Sequence, residues 1–124
     1  LEMMPKHRHV STIFAAVPSV TAAVELLAGV RGAVEQGVLA FELVSRFGLE
    51  LVLRHIPGTR DPLGAPSPWY VLMDLTVDAA RAEVVLAGLL ASAALTDATL
   101  ATTPAQSAAL WRLRESLSEA QKPE

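Results

Sequence analysis

The sequence predicts an α+β sandwich in which a four-stranded antiparallel sheet carries helices on one face, built from two strand–helix–strand–helix (βαβα) halves. Three observations carry this prediction. The chain has 124 residues, 52% of them apolar, enough for one domain with a core of its own and too few for a (β/α)8 barrel. Offsetting the sequence by 59 residues lays Val10–Ala23 on Trp69–Ala82 without a gap, and Leu26–Val30 then falls on Val85–Leu89. Within each half, residue types change from β-branched and aromatic runs to apolar residues spaced three and four apart.

The elements follow in order. Val10–Val17 and Trp69–Thr76 have the composition strands prefer. Ser19 and Asp78 come after them as N-caps, since their side-chain oxygens can accept from the orphan N–H groups of the next turn. The first helix repeats Val20, Ala23, Leu27, Val30 and Val34, and the third repeats Ala82, Val85, Leu89 and Ala93. Shorter strands are expected at Leu39–Val44 and Ala98–Thr102. The second helix, Arg46–Ile56, is stopped by Pro57-Gly58. The fourth opens on Thr103-Pro104-Ala105-Gln106, a capping box with proline at the first helical position. Between the halves, Pro57 to Pro68 holds four prolines and two glycines and reads as a loop. Two such units in a short chain suggest a ferredoxin-like sandwich, with a small three-layer α/β domain as the alternative.

Alternation in the strands sets the faces. Leu39, Phe41 and Leu43 share one side of the second strand, and Glu42 shares the other with Val44. In the third, Trp69, Val71, Met73 and Leu75 oppose Tyr70, Leu72, Asp74 and Thr76. The open side is assigned to Glu42 and Asp74, together with Ile13, Ala15, Val44 and Leu72. Such a face is too apolar for water alone, and a homodimer formed through the two sheets is one way to cover it.

Composition excludes several kinds of chemistry. Ten Lys plus Arg against thirteen Asp plus Glu give a net charge of −3, with no basic stripe for nucleic acid. Cysteine is absent, and with it disulfides and thiolate chemistry. The longest uncharged run, Val10–Val24, contains Pro18 and is too short for a membrane span. No signal-like segment is present, and a soluble cytoplasmic domain is expected. The start at Leu1 and the end at Lys122-Pro123-Glu124 suggest a piece of a longer protein. Gly-x-Gly-x-x-Gly, P-loop and Gly-x-Ser-x-Gly patterns are all missing. His7 and His9 lie on one side of an extended segment without an evident third ligand, and His55 stands alone, so no metal site is assigned. Glu42 and Asp74 are acidic residues inside strands, read as solvated positions before catalytic ones.

The last helix says more. Leu110, Leu113 and Leu117 form its apolar stripe, with Gln106 and Gln121 along it, and Arg112, Glu115 and Glu119 face solvent. Arg114 lies about 40° from Leu110, at the rim of the stripe, with Ser118 one turn on and Trp111 beside them. An arginine there needs an anionic partner. A ligand carboxylate held beside the Ser118 hydroxyl would suit it. So would a place over Trp111, or an ion pair with Glu42 or Asp74.

Five segments now stand in order: Phe41-Glu42-Leu43, Leu51-Val52-Leu53-Arg54-His55, Arg60-Asp61-Pro62-Leu63, Trp69-Tyr70-Val71-Leu72 and Leu110-Trp111-Arg112-Leu113-Arg114-Glu115, continuing into Ser118–Glu124. Together they resemble the C-terminal domain of FAD-linked oxidases of the vanillyl-alcohol-oxidase type, in the branch of D-2-hydroxyglutarate, D-lactate and glycolate dehydrogenases. The resemblance implies that residues 1–124 are part of the cap of a longer flavoenzyme, whose N-terminal domain holds FAD. The family oxidises a 2-hydroxy acid to the 2-oxo acid, with hydride passing to the flavin. It implies substrate-carboxylate binding by Arg114 and Ser118, the latter standing where threonine is common. Histidine and glutamate ligands for a divalent metal, a lysine-bearing strand and a catalytic histidine come later in the family's chain. On this reading the chain carries no catalytic residue and no metal site, and is inert alone. The alternatives are a free-standing dimeric regulatory module that binds a small effector, and a purely structural interaction module.

Overall fold

The computed structural model describes residues 9–92 and 95–121. Its central layer is a four-stranded antiparallel sheet of β1 (Ser11–Val17), β2 (Val38–Ser45), β3 (Trp69–Leu75) and β4 (Asp97–Leu100), in the order β2-β3-β1-β4. Helices α1 (Val20–Val34) and α2 (Arg46–His55) alternate with the strands of the first half. Helix α3 (Ala79–Ala91), α4 (Pro104–Glu115) and the one-turn α5 (Leu117–Ala120) complete the second. The mixed α+β class, the antiparallel sheet and the two βαβα halves are those the sequence predicts.

Local chemistry sets the helix starts. The side chains of Ser19, Asp78 and Thr103 each accept from the N–H three residues on, at Ala22, Arg81 and Gln106. Ser45 does the same for Gly48 at the head of α2. The capping box at Thr103 is half formed. Gln106 Oε1 accepts from the Thr102 N–H and hydroxyl, not from the Thr103 N–H. In α1 the inward stripe is Ala23, Leu26 and Val30, whereas Val20 is exposed. Ala82, Val85 and Leu89 are buried as expected; Ala93 lies outside the described residues.

The placement of helices on one face is corrected by the structure. Ile13, Ala15, Val17, Val71, Met73 and Leu75 pack against Ala23, Leu26 and Val30 of α1 and Val85 and Leu89 of α3. On the opposite face, Phe14, Ala16, Val44, Tyr70 and Leu72 pack against Leu49, Val52 and Ile56 of α2, Leu110 and Leu113 of α4, and Ala120 of α5. The physical cause is that α2 and α4 each carry an apolar stripe, and only the second sheet face can bury it. The phase of β1 is corrected too: Ile13 pairs with Met73 and Phe14 with Leu72, so Ile13 and Ala15 point away from the Glu42–Asp74 side. The chain's own helices cover the face expected to be open, which removes the surface proposed for pairing two sheets.

Candidate functional site

Helix α4 positions the candidate residues. Leu110 and Leu113 bury beneath it, and Arg112, Glu115 and Glu119 are exposed, as the wheel requires. Arg114 stands at the rim and reaches β2, where its Nε donates to Glu42 Oε1 at 3.1 Å. Both side chains are about two-fifths exposed, at 39% and 42%. Among the alternatives left open by spacing, the structure therefore realises the pair with Glu42.

Asp74 is engaged elsewhere. Its Oδ1 accepts from the Thr12 hydroxyl at 2.6 Å and from the Trp111 indole N–H at 3.0 Å. With its proton committed to Asp74, the Thr12 hydroxyl accepts from Ser107. This relay of Ser107, Thr12, Asp74 and Trp111 fastens α4 to the middle of the sheet, and it spaces Trp111 away from a stacking role.

Ser118 lies on α5 and is exposed. The expected single helix stops at Glu115 and resumes at Leu117, with Ser116 at φ −85° and ψ −2° between. Among the described residues no hydrogen bond joins Ser118 to Arg114. Helix α5 instead approaches α2: a Cβ on Gly48 would stand 3.0 Å from Leu117 Cδ2, so only glycine admits this contact without displacement.

Sequence reasoning missed Arg46 as a centre of the structure. From the first turn of α2, its Nη1 donates to Asp61 Oδ2 and to the Tyr70 hydroxyl, and its Nε to Glu50 Oε2, each at 2.8 Å. Hydrogen bonding to Asp61 holds the guanidinium above its ordinary pKa against the opposing effect of burial, and Glu50 and Tyr70 add to the rise. Asp61 Oδ1 accepts from the Leu63 N–H, and Leu63 is buried, so the segment Arg60–Leu63 anchors the loop between α2 and β3. The signal available was an arginine at the start of one helix and an aspartate inside the proline-rich loop that follows it.

His9 and His55 are both exposed, and His7 lies outside the described residues. Among the described residues no three His, Cys, Asp or Glu side chains gather as a metal site. A flavin pyrophosphate is ordinarily cradled by consecutive backbone N–H groups of a glycine-rich turn. Here Gly58 is the only glycine with a left-handed φ among the described residues, and its backbone lies against Arg112. The described residues therefore do not fit a flavin cradle. No helix among them is long and apolar enough to cross a membrane.

The chain is 28% identical over 121 residues to a mitochondrial D-2-hydroxyglutarate dehydrogenase of Arabidopsis thaliana, covering 94% of this chain and 22% of that protein. It is 29% identical over 102 residues to a probable mitochondrial D-2-hydroxyglutarate dehydrogenase of Oryza sativa subsp. indica, covering 77% of this chain and 18% of that protein. The chain thus spans about a fifth of the length of these relatives. The family model for FAD linked oxidases, C-terminal domain, matches residues 6–124. The chain belongs to that family of FAD-linked oxidase C-terminal domains.

Proposed function

We propose that this chain supplies the carboxylate-binding side of the substrate site in an FAD-dependent dehydrogenase that oxidises a D-2-hydroxy acid of the 2-hydroxyglutarate, lactate or glycolate class to the 2-oxo acid. On this reading it is the cap of a longer polypeptide. An N-terminal domain binds the flavin, and a divalent metal belongs to a later segment. The single observation that carries it is the state of Arg114. Its Nε is held by Glu42, while its Nη groups have no partner among the described residues. A guanidinium fixed along one edge presents its other edge for two parallel hydrogen bonds to a carboxylate. Ser118 adds a hydroxyl from α5. These residues act by holding the substrate in one orientation, which lowers the barrier without any bond to them being made or broken.

The test is anaerobic titration of the flavin-loaded full-length enzyme with D-2-hydroxyglutarate, D-lactate and glycolate. One acid is expected to bleach the visible flavin band. Arg114→Ala is expected to lower kcat/KM by about 2 kcal/mol or more with flavin content unchanged. Normal kinetics in that variant would overturn the role of Arg114. A flavin that none of the three acids reduces would keep the family and discard the substrate class.

A further inference from the structure

On the flank of α4 turned away from Arg114 lies a recess of about 460 Å3, between the turn at residues 58–62, the end of β4 and α4 itself. Its floor is apolar, with Leu100, Ala101, Leu110 and Leu113, and its rim carries Arg60, Arg112, Thr59 and Thr102. Asp61 also borders it, but both its oxygens are occupied, one by Arg46 and the other by the Leu63 N–H. Two guanidinium groups against this one carboxylate leave the rim of the recess net positive.

Arg112 is held in place. Its Nη2 donates to the Pro57 carbonyl at 3.1 Å, and the backbone at Gly58, at φ +82°, comes so close that an added Cβ would lie 3.4 Å from Arg112 Nη1. The position of a cation in the last turn of a helix is favourable on its own account. This does not account for Arg60, which is exposed and makes no hydrogen bond among the described residues, nor for the apolar floor between the two.

We propose that this recess binds a small organic carboxylate with a short apolar chain. The carboxylate lies between Arg60 and Arg112, and the chain lies over Leu100, Leu110 and Leu113. Arg112 and Arg114 are two residues apart on one helix, hence about 200° apart around it, so this site is separate from the substrate site proposed above and does not rest on it.

The test is a titration of the chain with hexanoate at constant ionic strength, followed by amide proton–nitrogen correlation spectra, with acetate and inorganic phosphate as comparison anions. Saturable shifts are expected at Gly58, Thr59, Thr102 and Ala109, with hexanoate binding more tightly than either comparison anion. Arg60→Ala is expected to weaken hexanoate binding about tenfold, as loss of a charge-assisted contact does, and Arg114→Ala to leave it unchanged. Arg112→Lys, which keeps the charge and removes the planar fork, is expected to weaken it as well. Shifts centred on Arg114 and Ser118, no saturation, equal binding of phosphate, or an Arg60→Ala variant with undiminished affinity would each overturn the proposal.

Discussion

Arg114 Nε donates to Glu42 Oε1 at 3.1 Å, tying the last turn of α4 to the middle of β2 across 72 positions of sequence. Both groups are well solvated, and pairs of that kind contribute less than about 1 kcal/mol to stability. The value of this contact lies in direction, because it fixes the plane of the guanidinium. Glu42→Gln keeps an acceptor at the same place. It is expected to change the urea-unfolding free energy by less than about 1 kcal/mol. A loss above about 2 kcal/mol would mean the pair is a structural keystone after all.

Arg46 should behave differently, because one planar fork serves Asp61, Glu50 and Tyr70 together. Arg46→Ala is expected to cost about 1–3 kcal/mol in urea unfolding, leaving Asp61 Oδ2 without its donor and the buried Tyr70 hydroxyl with the Ser67 N–H alone. Arg46→Lys should recover less than half of that, since an ammonium cannot reproduce the fork. The sign of the pH dependence also follows. A group whose pKa is raised on folding lends stability below its unfolded value and loses it as pH rises through the folded one. For Arg46 both values lie above the range in which the fold is measured, with Asp61 the main cause of the rise. No alkaline loss is therefore expected from Arg46, whereas the lysine variant should begin to lose stability near about pH 10.

Leu26 and Leu49 are both fully buried, but on opposite faces of the sheet. Each changed to alanine should cost about 2–5 kcal/mol. The double variant should lose the sum to within about 0.5 kcal/mol, because the sheet stands between the two sites. Chemical denaturation of the two single variants and the double variant decides it. A negligible cost for Leu49→Ala would mean that the second face is not a core.

Local features were readable in the amino-acid sequence because they act over three or four residues. The caps at Ser19, Asp78 and Thr103 depend on nothing distant, and neither does the stop at Pro57-Gly58. The side of the sheet taken by α2 and α4 was not read, and the reason lies in β1. All seven of its residues are buried, so it has no alternation from which its phase can be recovered. The recoverable signal was elsewhere: Leu49, Val52 and Ile56, and again Leu110 and Leu113, make stripes that require a surface to cover.

At the site, Arg114 was legible as a rim residue that needs an anion, while its choice of Glu42 over Asp74 was not. That choice depends on Thr12 and Trp111 occupying Asp74 first, a fact of tertiary packing alone. The break at Ser116 was likewise not read from the sequence. It accompanies the approach of α5 to Gly48, a contact between elements far apart in sequence.

The position of β1 bears on how the chain is made. Ile13 lies between Met73 on one side and Leu100 on the other, so within this domain the strand synthesised before its neighbours occupies the middle of the sheet. Its first partner, β3, is not synthesised until the whole of the first half has been completed. During that interval an apolar segment with unpaired backbone groups waits in solution, the kind of nascent species that holdase chaperones recognise and that aggregates when translation stalls. Slowing synthesis between Ser45 and Trp69 lengthens this exposure, and faster synthesis there shortens it.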